Sequence, residues 1–149
     1  MDILELIKQN RQTIKELFLK IETTQETEKL YGYFNKVYEE LIAYSQAEEL
    51  TLYTSVSKYQ GNEELIESAK AEHQESKNLL EEMELCSPTS SEFKDKFQQL
   101  KQVVYQHWQK EENLIAVQAQ KLVSKQEKEQ LGDKFINLKN KVQKELLMN

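Results

Sequence analysis

Five stretches of this 149-residue chain repeat apolar residues every three or four positions, and almost nothing interrupts them. Only three glycines and one proline occur, too few for the turns of a β-sandwich or for a Gly-rich phosphate loop. The first stripe reads Ile3, Leu6, Ile7, Ile14, Leu17, Phe18 and Ile21; the second Leu30, Phe34, Val37, Tyr38, Leu41, Leu52 and Val56. The third runs from Leu65 to Met83, the fourth from Phe93 to Val117, and the fifth from Leu131 to Leu146. Each gives a helix one apolar face and one charged face. The length suits one well-cored domain spanning 1–149. The expected fold is all-α, an up-down antiparallel four-helix bundle, with an additional C-terminal helix packed across its outside or its end.

Capping signals set the breaks. Asp2 with Glu5, Thr23 with Glu26, Thr89 with Glu92 and Ser124 with Glu127 have capping-box spacing. Gly61-Asn62 marks the remaining break, with Asn62 placed to cap the next helix. The predicted segments are 2–22, 25–59, 62–85, 91–122 and 125–147.

Composition narrows the function. With 26 acidic against 20 basic residues and a net charge of −6, nucleic acid is an unsuitable partner. The single cysteine, Cys86, forms no internal disulfide and points to a reducing compartment. It lies in a polar loop without a histidine nearby in sequence, so nucleophilic catalysis has little support. No apolar run approaches the ~20 residues of a membrane span, and the Met1-Asp2-Ile3-Leu4-Glu5 start lacks a basic signal-peptide region. A cytoplasmic protein with no membrane partner is expected.

The stripes are broken by polar residues near the middle of each helix. Continuing each stripe by threes and fours passes through Arg11 in the first, Tyr44 and Glu48 in the second, His73 in the third, and His107 and Glu111 in the fourth. Both histidines of the chain and two carboxylates therefore face the core at one level. Such groups need partners when buried. Two readings stay open: an ion-pair network in which Arg11 bridges Glu48 and Glu111, or a metal site. A pairing of Arg11 with Glu48 would hold the Glu48 pKa low.

An internal repeat sharpens the pattern. Tyr44-Ser45-Gln46-Ala47-Glu48-Glu49 aligns with His107-Trp108-Gln109-Lys110-Glu111-Glu112 at an offset of 63, and Asn10-Arg11-Gln12 with Glu72-His73-Gln74 at an offset of 62. The chain reads as two helical hairpins, with His73, His107 and Glu111 in the second and Arg11, Tyr44 and Glu48 at matching places in the first.

These residues resemble the hemerythrin-like, or HHE cation-binding, domain family. Its His-x-x-x-Glu-Glu motif stands at His107 to Glu112, and its Glu-His pair at Glu72-His73. The stretch from Leu41 to Tyr53 matches the corresponding helix except for Tyr44 in the histidine place, and Asn10-Arg11 stands where the family usually has Asp-His. The resemblance spans residues 2–147. It implies a bundle around non-haem iron that serves oxygen or nitric oxide binding, iron sensing or storage, or repair of iron centres. In the family each hairpin supplies two histidines for one iron, and the first hairpin here has neither. One iron is therefore expected in preference to two. The ligands would be His73, His107, Glu111 and Glu48, with dioxygen or another small diatomic as partner. Arg11 would stand where one ion would have stood, and Tyr44 would either ligate as phenolate or donate to a carboxylate. Lys77, one turn after His73, fills a place where some members carry a further ligand. The alternatives are a metal-free structural or interaction bundle and an oxygen-using non-haem iron enzyme.

Overall fold

The computed structural model describes residues 1–148, and the described residues contain helices and turns without a strand. The helices are α1 (Ile3–Thr23), α2 (Thr27–Glu48), α3 (Thr54–Ser57), α4 (Glu63–Glu84), α5 (Ser91–Asn113), α6 (Ile115–Leu122) and α7 (Lys125–Met148). A single π-helical turn, Glu49–Tyr53, joins α2 to α3 without breaking the rod. Helices α1, α2, α4 and α5 form the predicted up-down bundle.

Capping explains most boundaries. Asp2 accepts from the Glu5 N–H at 3.0 Å, and Ser124 accepts from the Glu127 N–H at 3.1 Å, both as the sequence predicts. The cap of α5 is Ser90, which accepts from Phe93 N–H at 3.1 Å, one residue beyond the Thr89 expected. The Thr23–Glu26 box does not form. Thr23 stays helical and returns its hydroxyl to the Leu19 carbonyl at 2.9 Å, so α2 begins at Thr27 without a side-chain cap. Asn62 makes no cap bond either; its amide nitrogen donates to the Val56 carbonyl at 3.4 Å across the Gly61 turn. That turn needs Gly61, whose φ is +91°. The fourth predicted segment is interrupted at Leu114, which ends α5 and leaves its own side chain and that of Val117 exposed.

Aromatic contacts lock the bundle at the level of Phe18. Phe18 meets Phe97 edge-on at 5.5 Å, and Phe34 meets Phe93 in the same way at 5.4 Å. These pairs tie α5 to both α1 and α2, and each fully buried ring contributes roughly 1.5–3 kcal/mol.

Helix α7 lies against both helices of the first hairpin. Phe135, 1% exposed, packs edge-on against Tyr44 at 6.1 Å. Glu40 on α2 receives Lys139 at 2.7 Å and Gln143 at 3.0 Å. Gly132 sits so close to the backbone carbonyl of Met1 that a side chain there would collide with it. None of the described helices is long and apolar enough to cross a membrane.

Candidate metal centre

The bundle axis is polar at mid-height. Glu48 from α2, His73 from α4, and His107 and Glu111 from α5 are all buried, and each offers a ligand atom within 4.8 Å of the others. His107 and Glu111 are four residues apart and so share one helix face. Tyr44 and Glu48 repeat that spacing on α2, and the Tyr44 hydroxyl donates to Glu48 Oε2 at 2.9 Å.

The histidines are oriented from outside. His73 Nδ1 lies 2.8 Å from Glu49 Oε2, and His107 Nδ1 lies 2.8 Å from Glu72 Oε1. Glu72 is itself held by Lys110 at 2.9 Å. Carboxylates in these positions take the Nδ1 protons, leaving both Nε2 lone pairs aimed inward. His73 Nε2 then faces Glu48 Oε1 at 3.0 Å, and His107 Nε2 faces Glu111 Oε2 at 3.2 Å. In that neutral tautomer these are lone pairs facing lone pairs, and Glu48 Oε1 is left without a hydrogen-bond donor. A cation resolves that conflict, and two imidazoles with two carboxylates are a donor set suited to a transition metal. Protonation of His73 on both nitrogens is the other resolution.

Arg11 closes the other side. Its guanidinium, 11% exposed, forms an ion pair with Glu111 and donates from Nε to the Tyr44 hydroxyl at 3.3 Å. It also lies over the Trp108 ring, 5.6 Å from the centroid. Of the two carboxylates that Arg11 is expected to bridge, Glu111 is paired directly, while Glu48 is reached only through the Tyr44 hydroxyl, so the direct Arg11–Glu48 pairing does not form. The pKa pattern follows. Burial and the nearby Glu111 push Glu48 up to about 7, against the expected depression. Burial also opposes charge on Glu111, but bonds to His107 and Glu48 and the charge of Arg11 hold it well below the usual carboxylate range.

Two groups belong to this site that stripe reading misses. Glu49 and Glu72 lie on the flanks of their helices and read as solvated charges. Tyr53 is the second omission: its hydroxyl donates to Glu111 Oε2 and stands 3.1 Å from His107 Nε2 and 3.4 Å from His73 Nε2. Its ring stacks on His73 at 5.3 Å. Lys77 does not join the cluster; it lines a cleft outside His73 with Lys70.

A helical bundle with inward-facing Glu and His residues from several helices is an arrangement that bundle metalloproteins use. Residues 2–119 match the family model described as the hemerythrin HHE cation binding domain, and the chain belongs to that family. Helix α7 lies beyond the matched stretch. The chain is 31% identical over 146 residues to a protein of Nostoc sp. described as a DNA nickase. The match covers 98% of this chain and 41% of that relative's length. Its fold is similar to the crystal structure of a hemerythrin HHE cation-binding domain-containing protein from Mycobacterium kansasii, with a TM-score of 0.87 at 23% identity. That similarity covers 99% of this chain and 91% of the other.

Proposed function

We propose that the chain binds a single transition-metal ion, iron, through His73, His107, Glu48 and Glu111, and acts as a binder or sensor of dioxygen or another small diatomic. The observation that carries this reading is the pair of Nε2 atoms held inward by Glu49 and Glu72 and set 3.0 Å and 3.2 Å from two buried carboxylates. Iron in such a site supplies redox chemistry and open coordination positions. The residues hold and orient it, and all four are buried. Arg11 supports one ion over two, because a fixed positive charge bound to Glu111 repels a second cation at low dielectric. The net charge of −6 favours a cation over a phosphate backbone as partner.

Protein purified without a histidine tag, loaded with iron(II) under anaerobic conditions and desalted, should hold one iron per chain, and His107→Ala should lose it. A ratio of two would remove Arg11 from the role of substitute charge. A metal-free structural bundle is the second reading, favoured by the Arg11–Glu111 ion pair and by the short His73–Glu48 distance. An intact fold that binds no metal above background would select it. Steady turnover of dioxygen or peroxide, lost in His107→Ala, would select an enzyme instead.

A further inference from the structure

We propose that Tyr53 is a fifth protein ligand, giving its phenolate oxygen to the ion held by Glu48, His73, His107 and Glu111. This rests on the metal-site reading above. The Tyr53 oxygen is already among the candidate ligand atoms, 3.1 Å and 3.4 Å from the two Nε2 atoms and hydrogen-bonded to Glu111 Oε2. Its one proton occupies the place where a cation would satisfy the same acceptors.

Backbone and charge independently support this assignment. In an uninterrupted α-helix the face of Tyr44 and Glu48 continues to Leu52, four residues on, while a residue five on turns away from it. The π-helical turn at Glu49–Tyr53 widens the helix by one residue and brings Tyr53 round to the cluster. Turns of this kind are uncommon and concentrate at functional sites. Thr54 supports it by donating its hydroxyl to the Glu49 carbonyl at 2.8 Å, five residues back. As for charge, Glu48, Glu111 and Arg11 together carry one net negative charge, so a divalent ion alone would leave the buried site positive. A phenolate makes it neutral, the arrangement with the smallest desolvation cost. Tyr44 cannot serve in this way. Its hydroxyl is held on both sides, accepting from Arg11 and donating to Glu48, and it points to the half of the site that Arg11 fills.

Ligation breaks the Tyr53 O–H bond and forms an oxygen–metal bond. The proton leaves to solvent, and no electron is transferred. Iron(II) loading should therefore release one more proton per ion in wild type than in Tyr53→Phe. After oxidation of the bound iron by one equivalent of ferricyanide, wild type should show a visible phenolate-to-iron(III) absorption band. Tyr44→Phe should keep that band, and Tyr53→Phe should lose it and bind iron more weakly, by at least about tenfold. Should Tyr53→Phe fail to fold, resonance Raman spectra of wild type and Tyr44→Phe decide: phenolate modes in both assign Tyr53. A band that persists in Tyr53→Phe, or disappears in Tyr44→Phe, overturns the assignment. Bound iron with no band in wild type overturns it while leaving the metal site standing, and failure to bind iron at all overturns both.

Discussion

Arg11 and Glu111, 100 residues apart in the chain, form a buried ion pair across the bundle from α1 to α5. The pair joins the two hairpins at the level of the His–Glu cluster and leaves Glu48 to the phenol of Tyr44. Removing the cation from such a pair strands a buried carboxylate. Arg11→Ala should cost the metal-free protein on the order of 3–5 kcal/mol, read as a fall in the urea midpoint at unchanged slope. A neutral or stabilising result would show that Arg11 contributes no net ion-pair energy in the interior.

The repeat places Arg11 and Tyr44 opposite His73 and His107. Arg11→His with Tyr44→His should therefore raise bound iron from one per chain to two. The double substitution adds two imidazoles and removes a fixed charge of about +1 from the place a second ion must enter. Metal analysis of the desalted protein checks it, and an unchanged ratio would refute the equivalence of the two hairpins.

In metal-free protein, burial opposes charge on His73, but hydrogen bonds to Glu48 and Glu49 outweigh it and raise its pKa to about 10. The folded value lies above the unfolded one, so this contribution is complete below about pH 6.5 and is lost as pH rises through 10. The raised Glu48 acts in the same direction at lower pH, since the folded state holds its proton more tightly. Glu111 has the opposite sign, and its contribution is lost on acidification below its unfolded value. Stability should thus decline from mildly acidic toward alkaline pH, and His73→Gln should remove the upper part of that decline. Urea midpoints of chelator-treated protein across this range provide the measurement.

Glu72 donates nothing to the ligand set yet fixes the ring of His107. Glu72→Gln should weaken iron binding by roughly 10–100-fold, because a neutral amide oxygen accepts from Nδ1–H more weakly than a carboxylate and no longer raises the basicity of Nε2. Far-ultraviolet circular dichroism should stay unchanged. Competition against a chelator of known affinity reads the change, and wild-type affinity would exclude the orienting role.

Gly132 is the point where α7 approaches the start of α1. Gly132→Ala should lower stability by about 1–3 kcal/mol, despite alanine's better helix propensity, because the methyl group meets the Met1 carbonyl. Thermal unfolding tests this, and a rise in midpoint would mean that the two helices leave room for a methyl group at this crossing.

The helices and the polar level are readable because both follow from one rule, the recurrence of like residues by threes and fours. That rule fixes height and face on each helix but says nothing about which of two carboxylates lies nearer across the bundle, so it leaves Arg11 able to reach both Glu48 and Glu111. The intervening Tyr44 hydroxyl decides the matter, and its position depends on Phe135 behind it, 91 residues later in sequence. Tyr53 escapes the rule for a different reason. Leu52 satisfies the α-helical period, so the apolar pattern announces no wider turn. Thr51 and Thr54, whose hydroxyls return to the Ala47 and Glu49 carbonyls, are the only local signal. Thr23 and Asn62 do not cap: each side chain donates to an upstream backbone carbonyl, of Leu19 and Val56, and α2 and α4 begin without a side-chain cap.

The wide turn at Glu49–Tyr53 amounts to one surplus residue stored within a continuous rod. A chain shortened by one residue between Glu48 and Tyr53 would close into a regular spiral, with the core on either side still engaged and Tyr53, now four residues after Glu48, still on the face of the cluster. Length itself is therefore an adjustable property of this scaffold. Variants that lack a single codon in this stretch would share a shape and keep the same centre within the bundle.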